Sequence, residues 1–275
     1  MAEQRKSQAG QTADKIRARV QDEGLMPLLE HLGELRRRIF WMLLVLLIGL
    51  GIGLYFAKPL YNFVIEDGPM SGVTLHTFSL WDGISMYMKF AFLIALVLVL
   101  PFAFFQLWLF VKPALSPKEQ RATLKYIPFA LLLFLMGLSF SYFVIAPMAY
   151  DFTKSVSHSL GLVETYGVMQ YISFLFNILI PIALLFELPL VIMFLTKLRI
   201  LNPLRLRKMR RIAYFVMVFI GTVITPPDVI SDILVSIPLL VLYEISIFLS
   251  SSVYKKQLAA DEAWEREFAS GESLG

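Results

Sequence analysis

The sequence predicts an all-α membrane protein of six transmembrane helices with both termini in the cytoplasm. Three observations carry that prediction. Of 275 residues, 57% are hydrophobic and only 17% are charged, whereas a soluble domain is about half apolar and about a quarter charged. The apolar residues collect in long uncharged runs, the mark of a chain that crosses a bilayer several times. The basic residues fall between those runs, so the formal charge of +4 reflects membrane topology rather than affinity for nucleic acid. The chain has no cysteine, which excludes disulfides, thiolate nucleophiles and cysteine-ligated metals.

Residues 1–24 are polar and mixed in charge. The apolar run after them is too long for a cleavable signal peptide, and no small-x-small site follows it. They read as a cytoplasmic tail, as do residues 251–275, and residues 25–250 form the membrane domain between them. Four spans, at about 39–57, 88–111, 127–149 and 172–196, have the length to cross about 30 Å of hydrocarbon at 1.5 Å per residue. The fifth, 212–224, has 13 residues, which gives only about 20 Å. It is followed by "TPPD", two prolines and an acid that no helix interior tolerates. The sixth, at 233–249, completes a short hairpin that leans on longer neighbours or thins the bilayer.

Lysine and arginine set the orientation. The segment before the first span, the second-to-third and fourth-to-fifth loops and the C-terminal tail together hold 22 of the 25 basic residues. Lys58, Lys89 and Lys154 are left for the opposite side. Against so basic an inner face, acids are informative, and Glu34 and Glu119 stand out. Glu34 has an ordinary reading: in a helix it faces Arg38 at i+4, a pair worth about 0.3–0.5 kcal/mol. Glu30 lies one turn earlier on the same face, however, and two stacked carboxylates relax when a cation arrives. Glu119 closes a capping box in "SPKE", with Ser116 at the N-cap and Pro117 at N1. A carboxylate has about four acceptor sites, so capping and ligand binding are compatible.

Glu187 lies midway along the fourth span in "FELP". A carboxylate at that depth is expensive and reads as functional; the structural alternative is that it serves a carbonyl freed by Pro189. Gln170 and Asn177 add polarity to the same span. Asp228 reads as an N-cap of the sixth helix, with Ser231 nearby. Glu244 lies near the cytoplasmic end of the sixth span, within reach of the headgroups.

Catalytic patterns are missing from the sequence. His31, His76 and His158 lack the i,i+4 spacing of a metal pair. There is no phosphate-binding glycine loop and no G-x-S-x-G. Tyr150–Asp151 and Pro113–Leu115 echo an intramembrane aspartyl protease, yet no second aspartate sits in a G-x-G-D context. The aromatic run "PFAFFQLWLF" reads as packing and interface anchoring. No catalytic residue, metal or cofactor is expected. A proton-coupled secondary transporter using Glu187 is the alternative from chemistry alone, although no internal repeat supports it.

Five segments together resemble the TatC family, the multi-spanning signal-peptide receptor subunit of the twin-arginine protein translocase. They are "PLLEHLGELRRRI", "QLWLFVKPALSPKEQR", "SYFVIAPMAY", "FELPLVI" and "ITPPDVISD". Each is weak alone; in this order and topology they are specific. The polar N-terminal extension departs from the short start usual in the family. The resemblance implies a cup of six helices, with short fifth and sixth members, in the cytoplasmic (inner) membrane. It implies recognition of folded precursors bearing twin-arginine signal peptides, and transport driven by the proton motive force. Glu34 and Glu119 then correspond to the carboxylates that receive the arginine pair, with Leu28, His31, Gln106, Phe110 and Pro113 in the same motifs. Glu187 corresponds to the polar feature of the concave face where small single-span subunits of the TatA and TatB type dock. Pro226, Pro227 and Asp228 correspond to the outer-loop signature. Membrane lipid and other translocase subunits are the remaining partners implied.

Physical chemistry supplies a reason for arginine. A guanidinium binds a carboxylate through two parallel hydrogen bonds, which a lysine cannot do. Two charge-assisted contacts net about 3–6 kcal/mol, whereas micromolar binding needs about 8. The remainder falls to the apolar segment of the signal.

Overall fold

The computed structural model describes the backbone of residues 2–66, 68, 74–112, 120, 124, 126–224 and 229–272, and their side chains from residue 33 onward except 229–231, 260, 263–265 and 267–272. In order these are α1 (Ala2–Ile65), β1 (Leu75–His76), α2 (Asp82–Val111), α3 (Tyr126–Phe140), a π-helical turn (Ser141–Ile145), α4 (Ala146–Ser159), β2 (Tyr166–Gly167), α5 (Val168–Leu185), α6 (Leu188–Lys197), α7 (Pro203–Lys208), α8 (Arg210–Ile224) and α9 (Val229–Glu272). The chain falls into two units, residues 1–45 and 46–275.

Among the described residues, five stretches are long and apolar enough to cross a membrane: Gly33–Ile65, Asp82–Val111, Tyr126–Ser159, Val168–Lys197 and Asp232–Ala259. Each extends beyond its sequence reading, because a helix continues past its apolar window wherever polar helix formers follow. The same propagation carries α1 back to Ala2, so the polar segment read as an N-terminal tail is helical. Adding residues to an existing helix avoids the nucleation cost. The fifth expected span is α8, whose 15 residues measure about 22 Å, and it stays short.

The sixth expected span is not short. α9 has 44 residues, and its continuation past residue 249 is held in place. Ser250 and Thr196 share a buried hydrogen bond of 2.7 Å, and Gln257 Nε2 donates to the Lys197 carbonyl at 2.8 Å. Arg199 pairs with Asp261 at 2.6 Å. The serine run 250–252 lowers hydropathy there, but the serines turn their hydroxyls onto helix carbonyls one turn back, as Ser251 does on Ile247 and Ser252 on Phe248.

Small residues stand where helices approach closely. Gly49 and Gly53 of α1 lie against Ala95 and Ala91 of α2. A Cβ on Gly53 would stand 2.3 Å from the Ala91 carbonyl oxygen. Gly137 of α3 also meets Ala183 of α5 closely, its would-be Cβ being 2.8 Å from the Ala183 Cα. Lipid gives no hydrophobic drive between helices, so backbones approach where side chains are absent. The π turn has its own cause. Pro147 lacks an N–H and its ring crowds the Phe143 carbonyl, and the ladder widens so that Ala146 N donates to the Ser141 carbonyl. This turn aims the Tyr142 hydroxyl at the Val64 carbonyl, 3.0 Å away, which satisfies an acceptor in the last turn of α1. One parallel bridge, Leu75 with Tyr166 and His76 with Gly167, joins the segments that lead into α2 and α5.

Candidate functional site

Glu34 lies in α1, where its Oε1 accepts a hydrogen bond from Arg38 Nη2, one turn on. The expected i,i+4 pair therefore forms. It does not close the site, since the Glu34 side chain remains 41% exposed. Leu28 and His31 lie on the same helix, but their side chains are outside the described residues, as is the side chain of Glu30.

The second expected cluster is at the Val111 end of α2. Gln106 is buried and Phe110, one turn on, is half-buried. Between them Trp108 organises the helix end. Its ring stacks on Phe105, with centroids 6.0 Å apart at 19°. The Lys112 ammonium sits 5.4 Å from the ring centroid, a cation–π distance. Trp108 Nε1 donates to the Gln120 carbonyl at 3.3 Å, and Gln120 Nε2 donates back to the Lys112 carbonyl at 3.1 Å. The residue after Glu119 is thus laced to the end of α2. Sequence reasoning took this aromatic run as packing and missed the lacing, which depends on a contact twelve residues apart. Glu119 and Pro113 lie outside the described residues, as do Pro226, Pro227 and Asp228.

Glu187 occupies the break between α5 and α6. The Phe186 and Glu187 amides reach back to the Ile182 and Leu184 carbonyls, and Glu187's own carbonyl receives Leu190 and Val191. Pro189 cannot donate, so the helix restarts rather than continues. The Glu187 side chain is 4% exposed and its carboxyl oxygens have no hydrogen-bond partner among the described residues. The main chain of Phe134 faces it without hydrogen-bond geometry. The structural alternative, in which the carboxyl serves a carbonyl freed by Pro189, is not taken up among the described residues, and no side-chain cap bond forms either.

Glu244 is not a free headgroup contact. Arg210 Nη2 donates to it at 2.7 Å and the Tyr214 hydroxyl binds its other oxygen, joining α8 to α9.

A cavity of about 930 Å³ lies among α2, α5 and the end of α8, with Lys89 and Asn177 as its polar lining. Lys89 Nζ donates to Ser173 Oγ at 2.7 Å and lies 6.0 Å from the Phe176 ring centroid. Gln170 is exposed beyond it. Sequence reasoning had counted Lys89 only as a charge on the far side.

These features define a polytopic α-helical membrane protein with polar groups at helix ends and in one membrane-level cavity. Residues 30–238 match the family model described as Sec-independent protein translocase protein (TatC). The chain is 42% identical to TatCy of Bacillus subtilis (strain 168) over 247 residues, covering 90% of this chain and 97% of that protein. It is 31% identical to TatC of Escherichia coli (strain K12), covering 83% and 89%. A crystal structure of the twin-arginine translocase receptor TatC in the detergent DDM superposes with a TM-score of 0.70 at 34% identity, covering 80% of this chain and 99% of that one. The chain belongs to the TatC family and serves Sec-independent protein translocation; this is a family of translocase components, not of catalysts. That membership displaces the reading of a proton-coupled solute transporter.

Proposed function

We propose that this chain is the signal-peptide receptor of its translocase and that Glu34 and Glu119 together receive the two arginines of a twin-arginine signal. In this reading six spans, the five long ones and α8, cross the cytoplasmic membrane with both termini inside. Residues 25–250 form the membrane domain. The observation that carries the reading is Glu34 itself, whose carboxylate is half-exposed and engaged with Arg38 through one oxygen. A pair of that kind is weak and leaves acceptor capacity for an incoming guanidinium. The lacing of Gln120 to Trp108 and Lys112 holds the residue that follows Glu119 at the end of α2. Leu28, His31, Gln106, Phe110 and Pro113 shape the surroundings of that pair. Glu187 marks the face where small single-span subunits dock within an oligomeric complex, and Pro226, Pro227 and Asp228 are the outer-loop signature.

The test is binding of matched signal peptides to the detergent-solubilised chain, one with the arginine pair and one with lysines in its place. Each charge-assisted contact nets about 1.5–3 kcal/mol, so Glu34→Gln and Glu119→Gln should each weaken the arginine peptide by about 10- to 100-fold and barely change the lysine one. Equal capture of both peptides by the parent chain would remove the paired-acid site.

A further inference from the structure

Lys89 is not needed by anything described so far. It lies in a membrane-spanning helix, half-buried, beside a cavity of about 930 Å³. Among the described residues it pairs with no carboxylate, and its one hydrogen bond goes to the Ser173 hydroxyl. An ammonium has three donors, and a cation at membrane level ordinarily faces an anion or a functional partner. We propose that this cavity holds an anionic phospholipid, with the phosphate on Lys89 Nζ and an acyl chain along the apolar wall formed by Phe92, Phe174, Pro181 and Ile224.

Depth selects this occupant. α2 has 30 residues, about 45 Å, which matches a bilayer including its headgroup layers. With the helix centred, about 7 Å at each end lies among headgroups. Lys89 is seven residues from Asp82, about 10 Å along the axis, so its Cα sits about 3 Å inside the hydrocarbon edge. A lysine stem spans that difference, and the anion at that level is the lipid phosphate. Ser173, six residues into α5, lies at a comparable depth. A carboxylate at mid-span of a partner helix would lie deeper than the ammonium reaches.

The walls fit the rest of the lipid. Apart from Lys89 and Asn177 the lining is apolar, and Asn177 is exposed at the mouth, where its amide can serve the glycerol ester region. Val223 and Ile224, the last described residues of the short α8, line the same space. The inference stands on the membrane span of these helices and is independent of signal-peptide binding, which can fail without touching it.

The test is native mass spectrometry of the full chain, released from detergent with equimolar dioleoyl phosphatidylglycerol and dioleoyl phosphatidylcholine, and separately with glycerol phosphate. The parent chain should retain phosphatidylglycerol about tenfold over phosphatidylcholine and retain no glycerol phosphate. Lys89→Gln should abolish that preference, Lys89→Arg should keep it, and Lys154→Gln, at an exposed position, should leave it unchanged. Asn177→Trp, which narrows the cavity with the cation intact, should lower phosphatidylglycerol retention and serves if Lys89→Gln does not fold. An undiminished preference in Lys89→Gln, or undiminished phosphatidylglycerol retention in Asn177→Trp, overturns the proposal. So does capture of glycerol phosphate alone, or Lys89-dependent binding of a glutamate-bearing transmembrane peptide that displaces no lipid.

Discussion

At the scale of single residues, Gly53 and Glu187 make opposite demands. Gly53 is required by what is near it. A Cβ there meets the Ala91 backbone, whereas one on Gly51 meets nothing within 4 Å. Gly53→Ala should therefore cost about 1–3 kcal/mol by overpacking, read as a lower melting temperature in detergent, while Gly51→Ala leaves stability unchanged or slightly raised. Equal behaviour of the two variants would mean that the α1–α2 contact does not hold. Glu187 is conspicuous for what it lacks, since its buried carboxyl has no hydrogen-bond partner among the described residues. Replacing an unsatisfied buried polar group by an apolar one of similar size is neutral or stabilising. Glu187→Leu should thus keep or raise the melting temperature while lowering export of a twin-arginine reporter; a destabilised protein would give Glu187 a structural role instead. The acid was legible in the sequence because any carboxylate in an apolar run is visible. The Gly49–Gly53 pairing was not, because small residues in a span show no periodic contrast and gain meaning only from the partner backbone.

At the scale of elements, the departures from sequence reading share one origin. Hydropathy reports where lipid is, not where a helix stops. The sixth span was read to end at 249, yet α9 continues and docks through Ser250 and Gln257 on α6 and through Asp261 on Arg199 just after it. Gln257→Ala removes the donor for the Lys197 carbonyl and should cost about 1–2 kcal/mol. The exposed Arg266–Glu262 pair, broken by Glu262→Ala, should change stability by less than about 0.5 kcal/mol. Thermal unfolding of the two variants side by side checks this, and similar losses would argue that the C-terminal part of α9 is not docked. The π turn at Ser141–Ile145 was likewise unreadable as such, although Pro147 announced some disturbance of the ladder.

At the scale of the whole molecule, the proposed six-span reading has a consequence for the bilayer: in it the 15 residues of α8 cover about 22 Å where the hydrocarbon is about 30 Å thick, a mismatch met by local thinning or by leaning on neighbours. The chain has no cysteine, so single cysteines introduced along 208–232 can be labelled with membrane-impermeant thiol reagents in vesicles without background. The protected stretch should be about 12–15 residues; protection of 20 or more would show a bilayer of ordinary thickness there. The receptor reading is also a whole-molecule matter. It requires Glu34 and Glu119, 85 positions apart in the sequence, to lie within reach of adjacent arginines, and crosslinking between cysteines at these two positions measures that reach directly.

The sequence alone determined the membrane class, the order of the apolar segments, the brevity of the fifth and the family, because composition, charge placement and linear motifs are properties of the chain and survive without contacts. Tertiary structure decided the rest. The glycine faces that let helices touch, the docking of α9 on α6, the lacing of Gln120 to Trp108 and the meeting of Lys89 with Ser173 all join groups distant along the chain. Their energies come from close packing and satisfied donors, which exist only once the helices are side by side.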